Sequence, residues 1–347
     1  MVGTAGVSAD AGLPPKSAQE LLVRLQDPKA TGLSGTVVAT ADLGLPTLPM
    51  GMSAGADLTS LLSGSTTLRV WLDGSGRSRV AMIGDGEESD VIRDGRDVWV
   101  WSSSAKTADH YVLPERDPAR TASVPEGSPD LPSTPQDAAA MALAALDDTT
   151  AVTTSGVARV AGRPVYELVL TPRQSDTLVA RVAIAVDGET NVPLRVQVFS
   201  TQLANPAYEV GFTSVDFAQP EPGLFAFTPP PGATVSRHTA PDAEPAGRPE
   251  VQGSGMDEPT VVGTGWSSVA IATIPAEQAG GGAGGDDPSG AGSDAMALLE
   301  ALPRTSGTWG TGRVLSGTLV SAILTDDGRI AIGAVPPETL GAALAAR

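Results

Sequence analysis

The side chains that most often carry catalysis or bind metals are scarce in this chain. Its 347 residues include no cysteine and only two histidines, His110 and His238. Without a thiol there is no thiolate nucleophile, disulfide, zinc-thiolate site or iron–sulfur cluster. Two histidines well apart in sequence do not supply a Ser-His-Asp set or a multi-histidine metal centre, so a hydrolase has no nucleophile–base pair to rest on. Carboxylates cluster at Asp85-Gly86-Glu87-Glu88-Ser89-Asp90 and at Asp286-Asp287. Neither cluster has the ligand spacing of a calcium loop, and both read as solvated turns, as does Asp147-Asp148. Glycine-rich runs lack the Gly-Lys-Ser/Thr phosphate loop and the strand–helix context of a dinucleotide site. The residues point away from an enzyme and imply no metal or cofactor.

The remaining chemistry is apolar. Leu68, Val70 and Leu72 alternate with Arg69, Trp71 and Asp73, while Tyr166, Leu168 and Leu170 alternate with Glu167, Val169 and Thr171. Val182, Ile184 and Val186 repeat the pattern. Period-two alternation builds antiparallel strands with one apolar and one wet face. Trp71, Trp99 and Trp101 fall on alternate strand positions and suit either an exposed aromatic patch or core packing.

Forty glycines and 29 prolines punctuate the chain, which fits many short strands rather than long helices. A capping box, Ser17-Ala18-Gln19-Glu20, opens a short amphipathic helix carrying Leu21, Leu22 and Leu25 and halted by Pro28. Thr134-Pro135 opens an alanine-rich second helix over 137–146. Asp73-Gly74-Ser75-Gly76 and Asp94-Gly95-Arg96 are hairpin turns. Strands are expected at 33–43, 66–72, 77–83, 88–93, 97–102, 110–113, 151–160, 165–171, 179–187, 194–200 and 208–217. A Pro/Glu/Gly-rich stretch then separates a smaller unit with strands at 261–274, 313–324 and 329–335 and helices at 295–302 and 337–346. The formal charge of −18 and the lack of a basic block exclude nucleic acid as partner. No apolar run is long enough to span a bilayer as a helix. Residues 1–16 read as a disordered arm or as the remnant of an export signal.

Helices laid over a meandering sheet that ends in Phe225-x-Phe227-x-Pro229-Pro230-x-Gly232 resemble the LolA superfamily of lipoprotein carriers and lipid-binding lipoproteins. Gly32-Leu33-Ser34-Gly35-Thr36-Val37, Thr67-Leu68-Arg69-Val70-Trp71 and Asp97-Val98-Trp99-Val100-Trp101 are similar to actinobacterial LolA-like proteins. Trp266-Ser267-Ser268-Val269-Ala270-Ile271 and Gly328-Arg329-Ile330-Ala331-Ile332-Gly333, followed by Pro336-Pro337-Glu338, resemble the small domain of RseB/MucB regulators. The resemblance implies an α+β fold: a large curved antiparallel sheet, or half-open barrel, covered by helices, plus a small C-terminal α+β domain. The divisions are an arm at 1–16, a LolA-like β-domain at 17–235, a linker at 236–257, and a RseB/MucB-like domain at 258–347. That last domain carries a glycine-rich insert at 279–292, read as disordered.

Such a fold implies a non-catalytic extracytoplasmic protein, secreted or membrane-associated through an N-terminal segment absent from this chain. It would hold a lipid or lipoprotein acyl chain on the concave apolar face. The alternating sets nominate Leu68, Val70, Leu72, Val80, Met82, Leu168, Leu170, Ile184, Val196 and Val198 as its lining. The competing reading is that these residues simply pack beneath Leu22, Leu25, Leu143 and Leu146. Leu45, Leu48, Met50 and Met52 are lid candidates on a loop that otherwise reads as an ordinary connection. The alternative function is regulatory: the small domain and part of the sheet would bind the extracytoplasmic segment of an anti-sigma factor. The expected state is a monomer or weak oligomer.

Overall fold

The computed structural model describes residues 12–44, 63–83, 88–113, 132–239, 259–273 and 302–346. The capping box forms as the sequence dictates. Ser17 Oγ accepts from the Glu20 amide, and the Ser17 amide donates to Glu20 Oε2 at 2.8 Å, opening helix α1 (Ala18–Leu25). Strands β1 (Leu33–Asp42), β2 (Ser63–Leu72), β3 (Ser78–Ile83), β4 (Glu88–Asp94), β5 (Asp97–Ser102) and β6 (Thr107–Val112) follow as a meander. Thr134 caps helix α2 (Pro135–Ala144), which is followed by β7 (Thr150–Val160), β8 (Arg163–Pro172), β9 (Val179–Asp187), β10 (Pro193–Ser200) and β11 (Pro206–Asp216).

Strand β12 (Thr234–Thr239) completes a twelve-stranded sheet in the order β12-β6-β5-β4-β3-β2-β1-β11-β10-β9-β8-β7. Every pairing in it is antiparallel except that of β12 with β6, so the sheet is mixed rather than purely antiparallel. β12 was not legible in the sequence. Its residues 236–239, read above as linker, belong to the large sheet, because an edge strand pairs through backbone on one side only and needs little apolar patterning.

A second sheet of six strands, in the order β13-β14-β18-β17-β16-β15, contains β13 (Thr260–Val262), β14 (Val269–Thr273), β15 (Arg304–Gly307), β16 (Gly310–Ser316), β17 (Ser321–Thr325) and β18 (Arg329–Gly333). The stretch expected as one strand at 261–274 is divided by a 3-10 turn at Gly265–Ser267, and 313–324 is a hairpin rather than a single strand. Helix α3 (Pro337–Ala345) buries Leu340, Ala343 and Leu344 against Val269, Ile271, Ile323 and Ala331. Val335 completes this core among the described residues, with Val262, Trp309 and Val314 packed against it.

The two sheets are joined through hydrogen bonds as well as apolar contact. The amide of Thr318, between β16 and β17, donates to the Leu43 carbonyl at 2.8 Å, and its hydroxyl donates to the Asp42 carbonyl at 2.7 Å. The buried Ser200 hydroxyl donates to the Thr318 carbonyl at 2.6 Å. Trp266 Nε1 donates to Thr150 Oγ1 at 2.8 Å, and the Leu178 amide donates to the Ala334 carbonyl at 2.8 Å. All of these anchors stand at one end of the large sheet, where β1 and β10 finish and β7 begins. No described helix is long and apolar enough to cross a membrane.

Candidate functional site

Cross-strand register decides which side chains share a face. One row runs Gly35–Val70–Val80–Val91–Val100 from β1 to β5, beside a shorter row Val37–Leu68–Met82. On the reverse face run Ser34–Trp71–Arg79–Ile92–Trp99–His110 and Thr36–Arg69–Ala81–Asp90–Trp101–Ala108. The expected separation of Leu68, Val70 and Leu72 from Arg69, Trp71 and Asp73 is therefore present.

The ten nominated lining residues come together. Leu68, Val70, Met82, Leu168, Leu170, Ile184 and Val196 are buried in one continuous core with Leu21 of α1 and Ala138 and Ala139 of α2, and Leu72, Val80 and Val198 pack against it. Leu68, Val70, Leu168, Leu170 and Ile184 have no exposed surface at all. Of the ten, Leu72, Val80 and Val198 are half-buried and the other seven are buried. The lid candidates Leu45, Leu48, Met50 and Met52 lie outside the described residues, as do the glycine-rich insert and Asp286-Asp287. The segment holding the lid candidates leaves after β1 and returns at β2, and Asp42 pairs with Ser63 at the end of the sheet where the small unit docks.

An apolar cleft of about 270 Å³ opens at the other end, where β1 begins and β2 finishes. Leu25 of α1, with Pro28 and Ala30 just after it, forms one wall, and Ala139, Ala140 and Leu143 of α2 form the facing wall. Leu33, Leu72, Val192 and Pro193 close it from the sheet, with Gly32 and Gly74 at its border. Among the described residues, Gln136 is the one polar side chain lining it. Sequence reasoning missed most of this lining, because the residues come from strand ends, turns and inner helix positions rather than from the alternating runs. Only Leu72 and the opposition of Leu25 and Leu143 to the sheet were legible.

Hairpin turns hold both sides of the cleft. Asp73 is nearly solvent-free, and its carboxylate accepts from the amides of Ser75 and Arg77 at 2.8 and 2.9 Å and from Arg77 Nε at 2.5 Å. Burial acts to raise its pKa, but these donors outweigh it and hold the carboxyl far below the usual 3.8. A Cβ at Gly74 (φ +72°) would fall 2.1 Å from the Thr31 carbonyl oxygen, so that close approach requires glycine. Asp187 does the same work in the β9–β10 turn. It accepts from the amides of Glu189 and Thr190 at 3.1 and 2.7 Å and from Arg163 Nε at 2.5 Å. Here too burial pushes upward while the Arg163 and Thr190 hydrogen bonds bring the pKa below its ordinary value.

The second turn also fixes α1. Arg24 Nη1 donates to Asn191 Oδ1 at 3.0 Å, Asn191 Nδ2 donates to the Asp27 carbonyl at 3.2 Å, and the Lys29 amide donates to the Thr190 carbonyl at 2.8 Å. Helix α2 is fixed at its start, where the buried Tyr208 hydroxyl of β11 donates to the Pro132 carbonyl.

The reverse face is not wet as expected across β3 to β6. The 3-10 turn Pro222–Phe225 packs on β3 and β4 and buries Phe225 to 1 % exposure, and Phe227 sits against Trp99 and Trp101 with ring centroids 5.4 and 6.1 Å away. Ile92, Trp101 and Ala108 are buried with it. The aromatic residues thus make a second packing layer. Both histidines join this edge: His110 stacks on Trp99 at 4.2 Å and bonds Asp97, while His238 of β12 stacks on Tyr111 at 4.6 Å and bonds Asp109. Asp90, from the first acidic cluster, is buried against Arg79 Nη2 at 2.5 Å rather than solvated. Among the described residues no three His, Asp or Glu groups stand close enough to share a metal ion.

Two broad sheets, the larger carrying helices on one face and an apolar cleft at its rim, define an α+β architecture. No protein-family model matches the chain, and no curated protein matches it. Among the solved structures it resembles are LolA-superfamily proteins and MucB. The Pseudomonas aeruginosa MucA/MucB complex matches at 17 % identity and a TM-score of 0.45, over 94 % of this chain and 96 % of that one. LprF from Mycobacterium bovis matches at 12 % identity and a TM-score of 0.30, over 63 % of this chain and 100 % of its own. A LolA superfamily protein from Nitrosomonas europaea matches at 12 % identity and 0.24, over 61 % and 99 %.

Proposed function

We propose that this protein is a non-catalytic, extracytoplasmic binder of a lipid or lipoprotein acyl chain, carried in the cleft between α1, α2 and the rim of the large sheet. The observation that carries this reading is the cleft itself. It is walled almost wholly by apolar side chains and held open by two helices that are each pinned by hydrogen bonds outside it. A volume of about 270 Å³ stands at the small end of ligand sites, which suits one alkyl tail better than a bundle of them. Each methylene transferred from water contributes about 0.8 kcal/mol, so a chain binds usefully without any specific polar contact. β7 also returns to touch β11 although three strands separate them, which supports a curled, half-open large sheet with its core inside the curl.

The test is native mass spectrometry of freshly purified protein, with titration of a fluorescent fatty-acid probe into wild type and a Leu143→Trp variant that fills the cleft. Co-purifying amphiphile and probe binding lost in Leu143→Trp are expected. Absence of both amphiphile and probe binding in wild type overturns the reading. A regulatory reading, in which the small unit holds a segment of an anti-sigma factor, draws on the firm docking of a separate six-stranded sheet through Thr318 and Trp266. Retention of every captured partner after disruption of that docking by Trp266→Ala would count against it.

A further inference from the structure

Of the three tryptophans on the large sheet, Trp71 is left out of the aromatic layer. Trp99 and Trp101 pack on Phe227, whereas Trp71 of β2 stands half-buried beside a polar trough of about 230 Å³ on the reverse face. Cross-strand register builds this trough from two rows. Asp216, Ser34 and Trp71 form the first, and Ser214, Thr36 and Arg69 form the second. The middle strand, β1, therefore supplies a floor of two short hydroxyl side chains. Trp71 and Arg69 stand along one side of it, and Asp216 and Ser214 along the other. Neighbouring strands lie about 4.8 Å apart, so those sides are separated by about 10 Å. β11 carries a bulge at the same place, where Thr213 has no counterpart between Thr36 and Val37. Bulges re-aim side chains and recur beside binding sites.

The polar groups of the trough are largely unclaimed. Among the described residues, the Ser34, Thr36 and Ser214 hydroxyls make no hydrogen bond and Arg69 makes no ion pair. The Arg69 guanidinium meets only the Trp71 ring, 5.2 Å from its centroid. That contact uses the face of the indole and leaves the guanidinium N–H donors open. Asp216 accepts from the Ala218 amide at 2.9 Å and pairs with no cation among the described residues. A donor-only group and an acceptor-only group thus line one cavity without meeting each other.

We propose that this trough is a binding site for the ring of a neutral saccharide. An anionic ligand is repelled by Asp216 and by the formal charge of −18, and a cationic one by Arg69. A zwitterion would answer the two charges alone, and both stand at exposed positions, where ion pairs contribute little. A sugar hydroxyl both donates and accepts. One ring therefore accepts from Arg69, donates to Asp216 and exchanges hydrogen bonds with Ser34 and Thr36. Trp71 gives the C–H side of the ring an apolar wall. Its indole is braced by the Arg79 guanidinium, 5.7 Å from the ring centroid and itself fixed by Asp90 at 2.5 Å. The site lies on the face away from the helices and stands independently of the acyl-binding reading.

The experiment is an NMR titration of the full chain with the methyl glycosides of glucose, galactose, mannose and arabinose, following the tryptophan indole N–H signals. The signal lost in Trp71→Phe is that of Trp71, and the other indole signals report that each variant is folded. At least one glycoside is expected to shift the Trp71 signal, with a Kd of about 1 mM. Arg69→Ala and Asp216→Ala should each weaken binding by about tenfold, the worth of one hydrogen bond to a charged group. Ser34→Leu should abolish it by filling the floor. Because the ligand is neutral, raising NaCl from about 50 mM to about 1 M should leave the affinity within about twofold. A Trp71 signal that no glycoside moves overturns the proposal, as does binding that both Arg69→Ala and Asp216→Ala leave unchanged. Phosphocholine, titrated in parallel, is expected to leave the signal in place. A shift produced by phosphocholine alone, and lost at high salt, overturns the saccharide assignment in favour of a zwitterion.

Discussion

The two halves of the large sheet use opposite faces. In the half built from β1 and β7 to β11, helices α1 and α2 cover the side that carries Val37, Leu168, Ile184 and Val196. In the half from β4 to β6, the Pro222–Phe225 turn and Phe227 cover the reverse side, over Ile92, Trp101 and Ala108, while β3 contributes to both layers. A helix adapts its contact surface by sliding and tilting over a sheet, so it leaves gaps at its ends, and the cleft is such a gap. A Phe-x-Phe segment instead inserts rings between aromatic neighbours and buries Ile92, Trp101 and Ala108 beneath it. The contrast places the open cleft in the helical half and the aromatic packing in the other.

Four changes test that contrast. Phe225→Ala removes a ring that is 1 % exposed and should cost about 3–5 kcal/mol in denaturant unfolding, while cleft affinity for an alkyl probe stays within about twofold. A large loss of affinity there would mean that the halves are mechanically one. Asp187→Ala strips the β9–β10 turn of its acceptor and leaves Arg163 without its buried partner. About 1–3 kcal/mol is expected, together with weaker probe binding because α1 loses the frame around Asn191.

Acid should act on both halves together. Asp73 and Asp187 each have a folded-state pKa below the ordinary 3.8, so their contribution is complete above about pH 5 and is lost as pH falls below 3.8 toward the folded values. A melting-temperature series from pH 6 to pH 2 should therefore fall steeply below pH 4 in wild type and less so in Asp187→Asn. The smallest effect is expected at the edge of the aromatic half. His238→Asn removes a partly exposed bond to Asp109 and should shift stability by less than about 1 kcal/mol, with faster amide exchange confined to β12.

Much of the meander was legible because apolar residues at every second position leave few other ways to bury them. β5 and β9 have the expected limits, and the capping box placed the start of α1 to the residue. Strands with weak patterning were not legible: β12 carries Arg237 and His238, and β15 is a short Arg-Thr-Ser-Gly strand. The apolar stripes gave the core rather than the cleft, since residues that alternate cleanly are those buried completely. Gln136 carried no signal, because an amide early in a helix is ordinary until its surroundings are known.

The amino-acid order on its own determined that this chain has no thiol or histidine machinery, that it folds as antiparallel hairpins with few helices, and that a smaller unit follows a larger one. Those properties are local, set by residue type, turn chemistry and period. Which face each half covers, and which end of β1 holds the cleft and which the small sheet, were decided only in three dimensions. They depend on contacts between residues far apart in the chain, such as Arg24 with Asn191 and Tyr208 with Pro132, whose geometry no local pattern encodes.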